Sequence, residues 1–283
     1  MPRPCPPGRT RPKRWSAATA SPPLADSRLM RDDVLAVLNE AYRAVVEGLG
    51  SLADWGAQGS RPDQFACDIV ADEAAFKVLD AAGVGVVSEE RNAQGLERDI
   101  VVVVDPVDGT SNAIRGIPYY AISLCAVDRQ GMQSSLVVNL ATGTRFEAVR
   151  GQGALCDGRS IVASDCSTME AAWVAVCGHP RQEHPWRHMR AFGATALELC
   201  DVARGLLDAY VNTDVDAIAP WDYLGALLVC HEAGAVSTDG LQRPLVTTDP
   251  AARRAPVVAA TPSLLAEAVG YAWPGQAREI ADR

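Results

Sequence analysis

Val34, Val37, Leu38, Ala41, Val45 and Leu49 recur at helical spacing, with Asp32 and Asp33 at the positive end of the dipole and Gly48 and Gly50 as stops. An amphipathic helix is therefore predicted from about Met30. Ala71, Ala74, Ala75, Val78, Leu79 and Ala82 mark one face of a second helix over 68–82, closed by Gly83. A short strand over 84–88 ends in Glu89 and Glu90. Ile100, Val101, Val102, Val103 and Val104 then follow without alternation, which suits a strand buried on both faces in the middle of a helix-covered sheet. Further strands are predicted over 121–127, 134–139, 145–149, 173–176, 209–211, 235–237 and 257–260, and helices over 194–207, 222–232 and 263–269. The sum is layered helices and mixed sheets, with hairpins as well as helical connections and no internal repeat.

Residues 1–29 break the pattern. Seven prolines lie among Arg and Ser there with no apolar stretch for a secretory signal. The segment is expected to be a disordered tail or to precede a start at Met30; a basic organelle leader is the third option. It carries six basic groups against Asp26, so the formal charge of −9 divides into +5 here and −14 over residues 30–283. An acidic body repels phosphate backbones, and nucleic acid is not an expected partner. No apolar run reaches the ~18 residues that would cross a membrane. Eight cysteines are scattered without a C-x-x-C pair and mostly in apolar surroundings, which favours buried thiols in a reducing cytoplasm over disulfides or zinc. At 283 residues, one large domain or two joined halves fit equally.

The chemistry concentrates in Asp105-Pro106-Val107-Asp108-Gly109-Thr110-Ser111-Asn112. Asp105 sits at the carboxyl end of the Val strand, where α/β proteins place ligands. Pro106 is expected to end the strand, Gly109 to allow a tight turn, and Thr110 and Ser111 to open a helix with outward N–H groups. Two carboxylates aimed at an anion-binding helix end make sense with a cation between them; hard oxygen donors suit Mg²⁺, which keeps waters and binds substrate phosphates. Glu89 with Glu90, Asp222 before a Leu-rich helix, and Asp68 at another helix head could complete the site. Each acid has a structural alternative as an N-cap, a solvated turn or an Asx-turn. Four such sites together at element ends favour the metal reading.

These motifs, with Val87-Ser88-Glu89-Glu90, Trp221-Asp222, Glu232-Ala233-Gly234-Ala235, Arg150-Gly151-Gln152-Gly153-Ala154, Asp157-Gly158 and Gly193-Ala194-Thr195, resemble the inositol monophosphatase superfamily of Mg²⁺-dependent, lithium-sensitive phosphatases in order and spacing, from about Met30 to Gly270. The resemblance implies an α-β-α-β-α layered, sugar-phosphatase-like fold, divided here into an N-terminal α+β half with the metal site (30–150), a C-terminal α/β half completing it (151–273) and a tail (274–283). It implies two or three Mg²⁺ ions. Glu89, Asp105 and the Val107 carbonyl would hold the first, Asp105, Asp108 and Asp222 the second, and Glu89 a weaker third. Thr110 and Asp68 would orient the attacking water, and Gly109, Thr110 and Ser111 would hold the phosphate. Gly193, Ala194 and Thr195 would receive the alcohol. A homodimer is also implied.

Rival readings are weaker. An aspartyl-phosphate phosphatase needs D-x-D-x-T, and Asp105 and Asp108 are one residue too far apart; Asp214-Val215-Asp216 lacks the Thr. Gly83-x-Gly85 precedes a strand, unlike a dinucleotide motif. His179, His184 and His188 lie near Pro180 and Pro185, which predicts a surface loop more than a metal site. A non-catalytic interaction protein would have lost a ligand, and none is missing. The segments around Ser111 and Phe192 are most similar to archaeal-type inositol monophosphatases that also accept fructose 1,6-bisphosphate. Nucleotide and histidinol-phosphate branches more often have Lys where this chain has Ser111. Asn212 stands where animal-type enzymes carry a Glu for ring hydroxyls and, as a neutral donor and acceptor that can still bond a hydroxyl, counts as a substrate-binding residue; Ala219 stands where they carry His. Both departures count against inositol, yet inositol 1-phosphate is the first expectation with sugar bisphosphates close behind.

Overall fold

A computed structural model describes residues 31–61, 64–180 and 185–274. The expected leader over 1–29, the tail beyond 274, and His184 lie outside these residues. The two opening helices form as α1 (Arg31–Gly50) and α2 (Ala66–Ala81). They are followed by β1 (Gly85–Ser88), β2 (Asn92–Gln94), β3 (Val101–Asp108), the short α3 (Thr110–Arg115), β4 (Ala121–Asp128), β5 (Gly131–Asn139), β6 (Arg145–Val149), β7 (Gly153–Cys156) and β8 (Arg159–Ile161). These strands make an eight-stranded sheet in the order β2-β1-β3-β4-β5-β6-β7-β8, which continues past residue 150 to Ile161. The rest of the chain supplies β9 (Trp173–Cys177), β10 (His188–Arg190), α4 (Thr195–Ala203), β11 (Ala209–Asn212), α5 (Pro220–Glu232), β12 (Val236–Asp239), β13 (Pro256–Ala259) and α6 (Pro262–Ala272). Its five-stranded sheet runs β10-β9-β11-β13-β12. Both sheets mix parallel and antiparallel pairs.

The unalternating Val run explains the layering. Successive strand residues point to opposite faces, so a strand apolar at every position needs a hydrophobic layer on each side. Val102 and Val104 join α1 and α2 through Leu38, Val45, Ala71 and Leu79. Val101 and Val103 join α4 and α5 through Leu197, Leu224 and Leu227, a layer shared with Ala175, Tyr210 and Val258 of the second sheet. The far face of that sheet buries Val174, Val211 and Val257 against Leu264 and Val269 of α6. The order of layers is α-β-α-β-α. Leu224 and Leu227, both fully enclosed, each contribute about 2–3 kcal/mol of burial energy.

Four sequence expectations change. Short strands β2, β7, β8 and β10 were not anticipated, and His188 lies in β10 instead of a loop. Helix α4 stops at Ala203, short of 207, because the chain turns through Gly205 at φ +69°. Strand β12 begins and ends later than expected. Pro106 does not end β3, which runs on to Asp108.

Candidate active site

The last change builds the site. In the β3–β4 ladder Asp105 lies opposite Ser123 and Asp108 opposite Ala121, so three steps along β3 match two along β4. That extra residue is a β-bulge. In a regular strand, residues three apart face opposite sides; the bulge restores the parity of a two-residue step and turns both aspartates to one face. Pro106, which has no N–H, sits inside the bulge, where no ladder donor is needed.

Pairing with β1 brings the next acid. The two strands are parallel with Ser88 opposite Val104, so Glu89 and Asp105 leave the ends of neighbouring strands side by side, about 4.8 Å apart as backbones. Glu90 faces other partners: Arg61 and Gln64, on the segment before α2, hold its carboxylate. Glu89 is thereby the acid of the pair left to the cleft.

Two helix starts supply Asp222 and Asp68 by one device. Each is the third residue of its helix and accepts the backbone N–H of the residue before the helix: Ala219 donates to Asp222 Oδ2 at 2.7 Å, and Phe65 to Asp68 Oδ2 at 2.9 Å. This is the acidic half of a capping box, three residues on from the N-cap position of the structural alternative. The depth of α5 on the sheet depends on Gly225, three residues after Asp222: a Cβ there would lie 2.5 Å from Ser123 Oγ and 3.2 Å from Leu124 N on β4. Without a side chain at 225 the helix closes onto the strand opposite Asp105.

Asp105 is 2% and Asp108 7% exposed. Burial, and then Glu89, Asp108 and Asp222, push Asp105 well above the usual carboxylate range. Burial and Asp222 do the same to Asp108, against the opposing hydrogen bond from the Ala196 amide at 2.7 Å. Asp222 is pushed up to about 6 by burial, with Arg253 opposing, and Arg253 stacks 5.2 Å from the Trp221 ring. Glu89 is solvent-accessible just past the end of β1, yet desolvation by surrounding protein and repulsion from Asp222, Glu90 and Asp68 bring it to about 7. Among the described residues, no three His, Cys, Asp or Glu side chains are already gathered at ligating distance around one point. The donor set nonetheless fits a hard divalent cation: carboxylates and one carbonyl, at a place where buried anions need a counter-charge. Cys67 beside Asp68 is no competing ligand, since burial pushes its thiol up to about 12.

Thr110 stands between the acids. Its hydroxyl lies 2.8 Å from Asp68 Oδ1 and 2.9 Å from the Val107 carbonyl. One proton faces two acceptors, so the oxygen keeps a lone pair free for a further donor. Asp68, 6% exposed, is raised above its ordinary range by burial. Gly109 precedes α3 at φ +84°, and a Cβ on it would meet Ala194 Cβ at 2.9 Å and the Gly193 carbonyl at 3.1 Å. Only glycine meets both demands. Ser111 is exposed in the first turn of α3.

Of the residues expected on the alcohol side, Gly193 and Ala194 lie against Gly109, and Thr195 opens α4 with its hydroxyl 3.2 Å from that of Tyr210. Asn212 stands apart. It is 0% exposed, its Oδ1 accepts the Asp214 amide, and its Nδ2 has no hydrogen-bond partner among the described residues. Two residues escaped the sequence reading. Glu198, 2% exposed, accepts the Phe192 and Gly193 amides, and Asn112 donates to the Tyr119 and Phe192 carbonyls. An acid within the apolar run Ala196-Leu197-Glu198-Leu199-Cys200 is a signal for the first; the second closes the Asp105–Asn112 stretch, whose pattern assigns this residue no role.

Two mixed sheets in five layers, with carboxylates at the strand ends of the first, form a layered α/β fold of the inositol monophosphatase-like kind. Residues 59–274 match the inositol monophosphatase family, and the chain belongs to that family and is a phosphatase. It is 34% identical over 216 residues to a fructose-1,6-bisphosphatase/inositol-1-monophosphatase of Methanothermobacter thermautotrophicus, covering 68% of this chain and 76% of that one. A protein of the same description from Archaeoglobus fulgidus is 35% identical over 178 residues, covering 62% and 69%. Among solved structures, a Pyrococcus horikoshii protein described as having similarities to inositol-1 monophosphatase superposes with a TM-score of 0.74 at 23% identity, over 85% of this chain and 97% of that one. This last likeness concerns the fold.

Proposed function

We propose that the chain hydrolyses a small polyol or sugar phosphate with Mg²⁺, inositol 1-phosphate first and fructose 1,6-bisphosphate second. The observation that carries this reading is the register that sets Glu89 beside Asp105 and turns Asp105 and Asp108 to one face. Glu89, Asp105 and the Val107 carbonyl would hold one ion, Asp105, Asp108 and Asp222 a second, and Glu89 a looser third. Bound there, Mg²⁺ supplies charge neutralisation for the phosphate and the leaving oxygen and acidifies water. Thr110 orients the attacking water by accepting its hydrogen bond and passes its own proton towards Asp68, whose raised affinity for a proton suits the role of base. The first amides of α3, at Gly109, Thr110 and Ser111, hold phosphate oxygens; Gly193, Ala194 and Thr195 receive the alcohol. Asn212, expected among the substrate-binding residues, is enclosed in this structure and is assigned no substrate contact.

The two archaeal relatives, named for both substrates, support the pairing of inositol 1-phosphate with fructose 1,6-bisphosphate. A cytoplasmic homodimer completes the proposal. Seven cysteines without a disulfide among the described residues agree with a reducing compartment, and no helix among those residues is long and apolar enough to cross a membrane. Phosphate release from inositol 1-phosphate, fructose 1,6-bisphosphate, a 3′-phosphonucleotide and histidinol phosphate tests the substrate, with and without Mg²⁺. Wild type is expected to act in Mg²⁺ with the highest kcat/KM on the first, and Asp222→Asn to be inactive. Equal rates for the two proteins would overturn the site, and a nucleotide preference the substrate. Sedimentation showing only monomer at micromolar concentration would remove the dimer.

A further inference from the structure

The peptide units at Phe192 and Gly193 are held from two sides by residues outside the machinery described above. The two hydrogens of the Asn112 amide go to two different carbonyls, Tyr119 at 2.8 Å and Phe192 at 2.7 Å. From the opposite side, Glu198 Oε1 accepts the Phe192 amide at 2.5 Å and the Gly193 amide at 3.3 Å. Every backbone polar group of Phe192 is therefore tied, at a turn where Gly193 adopts φ +78°. Asn112 stands on α3, two residues after Thr110, and Glu198 on α4, three after Thr195. The two helices that begin at the phosphate side and the alcohol side of the cleft thus grip one turn between them.

The aromatic side chains continue the connection. The Phe192 ring packs on Tyr119 at 4.9 Å between centroids, and the Tyr119 hydroxyl donates to Asp201 on α4 at 2.8 Å. Asp201 is in turn held by Arg204. None of these side chains is among those assigned above to the metal or the phosphate.

We propose that Asn112 and Glu198 are positioning residues that register the alcohol-receiving turn at Phe192 and Gly193 against the phosphate-holding turn at Gly109 and Thr110. The inference rests on the phosphatase reading and deepens it. Hydrolysis of a poorly activated alkyl ester requires its alcohol oxygen to be placed correctly, and a displacement of about 1 Å costs up to about 100-fold in rate. An ester with a good leaving group needs less help on that side. The clamp therefore acts on substrates in proportion to their need for alcohol placement.

The test compares wild type, Asn112→Ala, Glu198→Leu and Glu198→Gln on inositol 1-phosphate and on 4-nitrophenyl phosphate, with amide hydrogen exchange over residues 190–196 in parallel. Asn112→Ala and Glu198→Leu are expected to lose about 10- to 100-fold in kcat/KM on the inositol ester and less than about threefold on the aryl ester. Both should lose protection of the Phe192 and Gly193 amides. Glu198→Gln keeps an oxygen acceptor and is expected to stay near wild type in both readouts. Equal losses on the two esters, or unchanged protection in both disrupting variants, would overturn the clamp. Failure of wild type to hydrolyse either ester would instead overturn the phosphatase reading, and the exchange pattern would still decide the clamp.

Discussion

Replacing Glu198 by Gln removes a charge from the interior of α4 while leaving an oxygen for the Phe192 and Gly193 amides. Glu198 is 2% exposed, so solvent screens it little, and burial moves its carboxyl from an ordinary 4.5 up to about 7. The folded state therefore holds this proton more tightly than the unfolded state does. Stability from this group is intact below about 4.5, declines as pH rises, and is fully lost above about 7. At about 1.4 kcal/mol per pH unit between the two midpoints, the loss is about 3 kcal/mol. Gln has no such titration. Thermal melts of both proteins in chelator-containing buffers from pH 4.5 to 8 should show the Gln variant gaining steadily on wild type. The gain is about 6–12 °C for a chain of this size, at roughly 2–4 °C per kcal/mol. Curves that stay parallel across the range would refute the argument.

Three other outcomes follow from the geometry. Thr110→Val, which removes the hydroxyl between Asp68 and the Val107 carbonyl, is expected to lower kcat by about 10²- to 10⁴-fold while Thr110→Ser keeps most activity; equal rates in a phosphate-release assay would contradict the relay. Gly109→Ala forces a side chain into φ +84° and against Ala194, so urea denaturation should show a loss of about 1–3 kcal/mol, and an unchanged midpoint would refute the close approach. Glu89 and Asp222, raised from 4.5 to about 7 and from 3.8 to about 6, oppose the metal-free fold increasingly as pH rises towards those folded-state values, and a cation needs them ionised; millimolar Mg²⁺ should raise Tm at pH 7.5 and hardly at pH 5, as calorimetry would register.

The layered core was legible because its signals are periodic and repeated. Val101–Val104 announced two covered faces, and the α1 stripe announced one. The bulge in β3 was hidden for a physical reason: Pro106 looks like a strand end when only its missing N–H is considered, and the extra residue shows only in the pairing with Ser123 and Ala121. The hairpin of β7 and β8 was within reach, since Asp157-Gly158, at φ 49° and 73°, is a strong two-residue turn signal beyond its value as a family mark. The acids of the site could be found from their places at element ends. Which of Glu89 and Glu90 remained available could not, because Arg61 and Gln64 reach Glu90 from 26 or more positions away. Asn112 is a small polar residue on an amphipathic turn, and nothing local announces a partner 80 residues downstream.

The bulge also sets regularity of the sheet against use of the site. Deleting one residue between Asp105 and Asp108 would let β3 pair with β4 as an unbroken ladder, a change that in isolation favours the sheet. The same deletion would shift which residues meet the site and turn one of the two aspartates into the apolar layer around Val104, where an unpaired charge is costly. A more regular strand would thus give a less stable protein and an inactive one, so the irregularity is maintained by the core as well as by the chemistry. A variant of this chain that keeps both aspartates should retain all four residues from Asp105 to Asp108 in their present register.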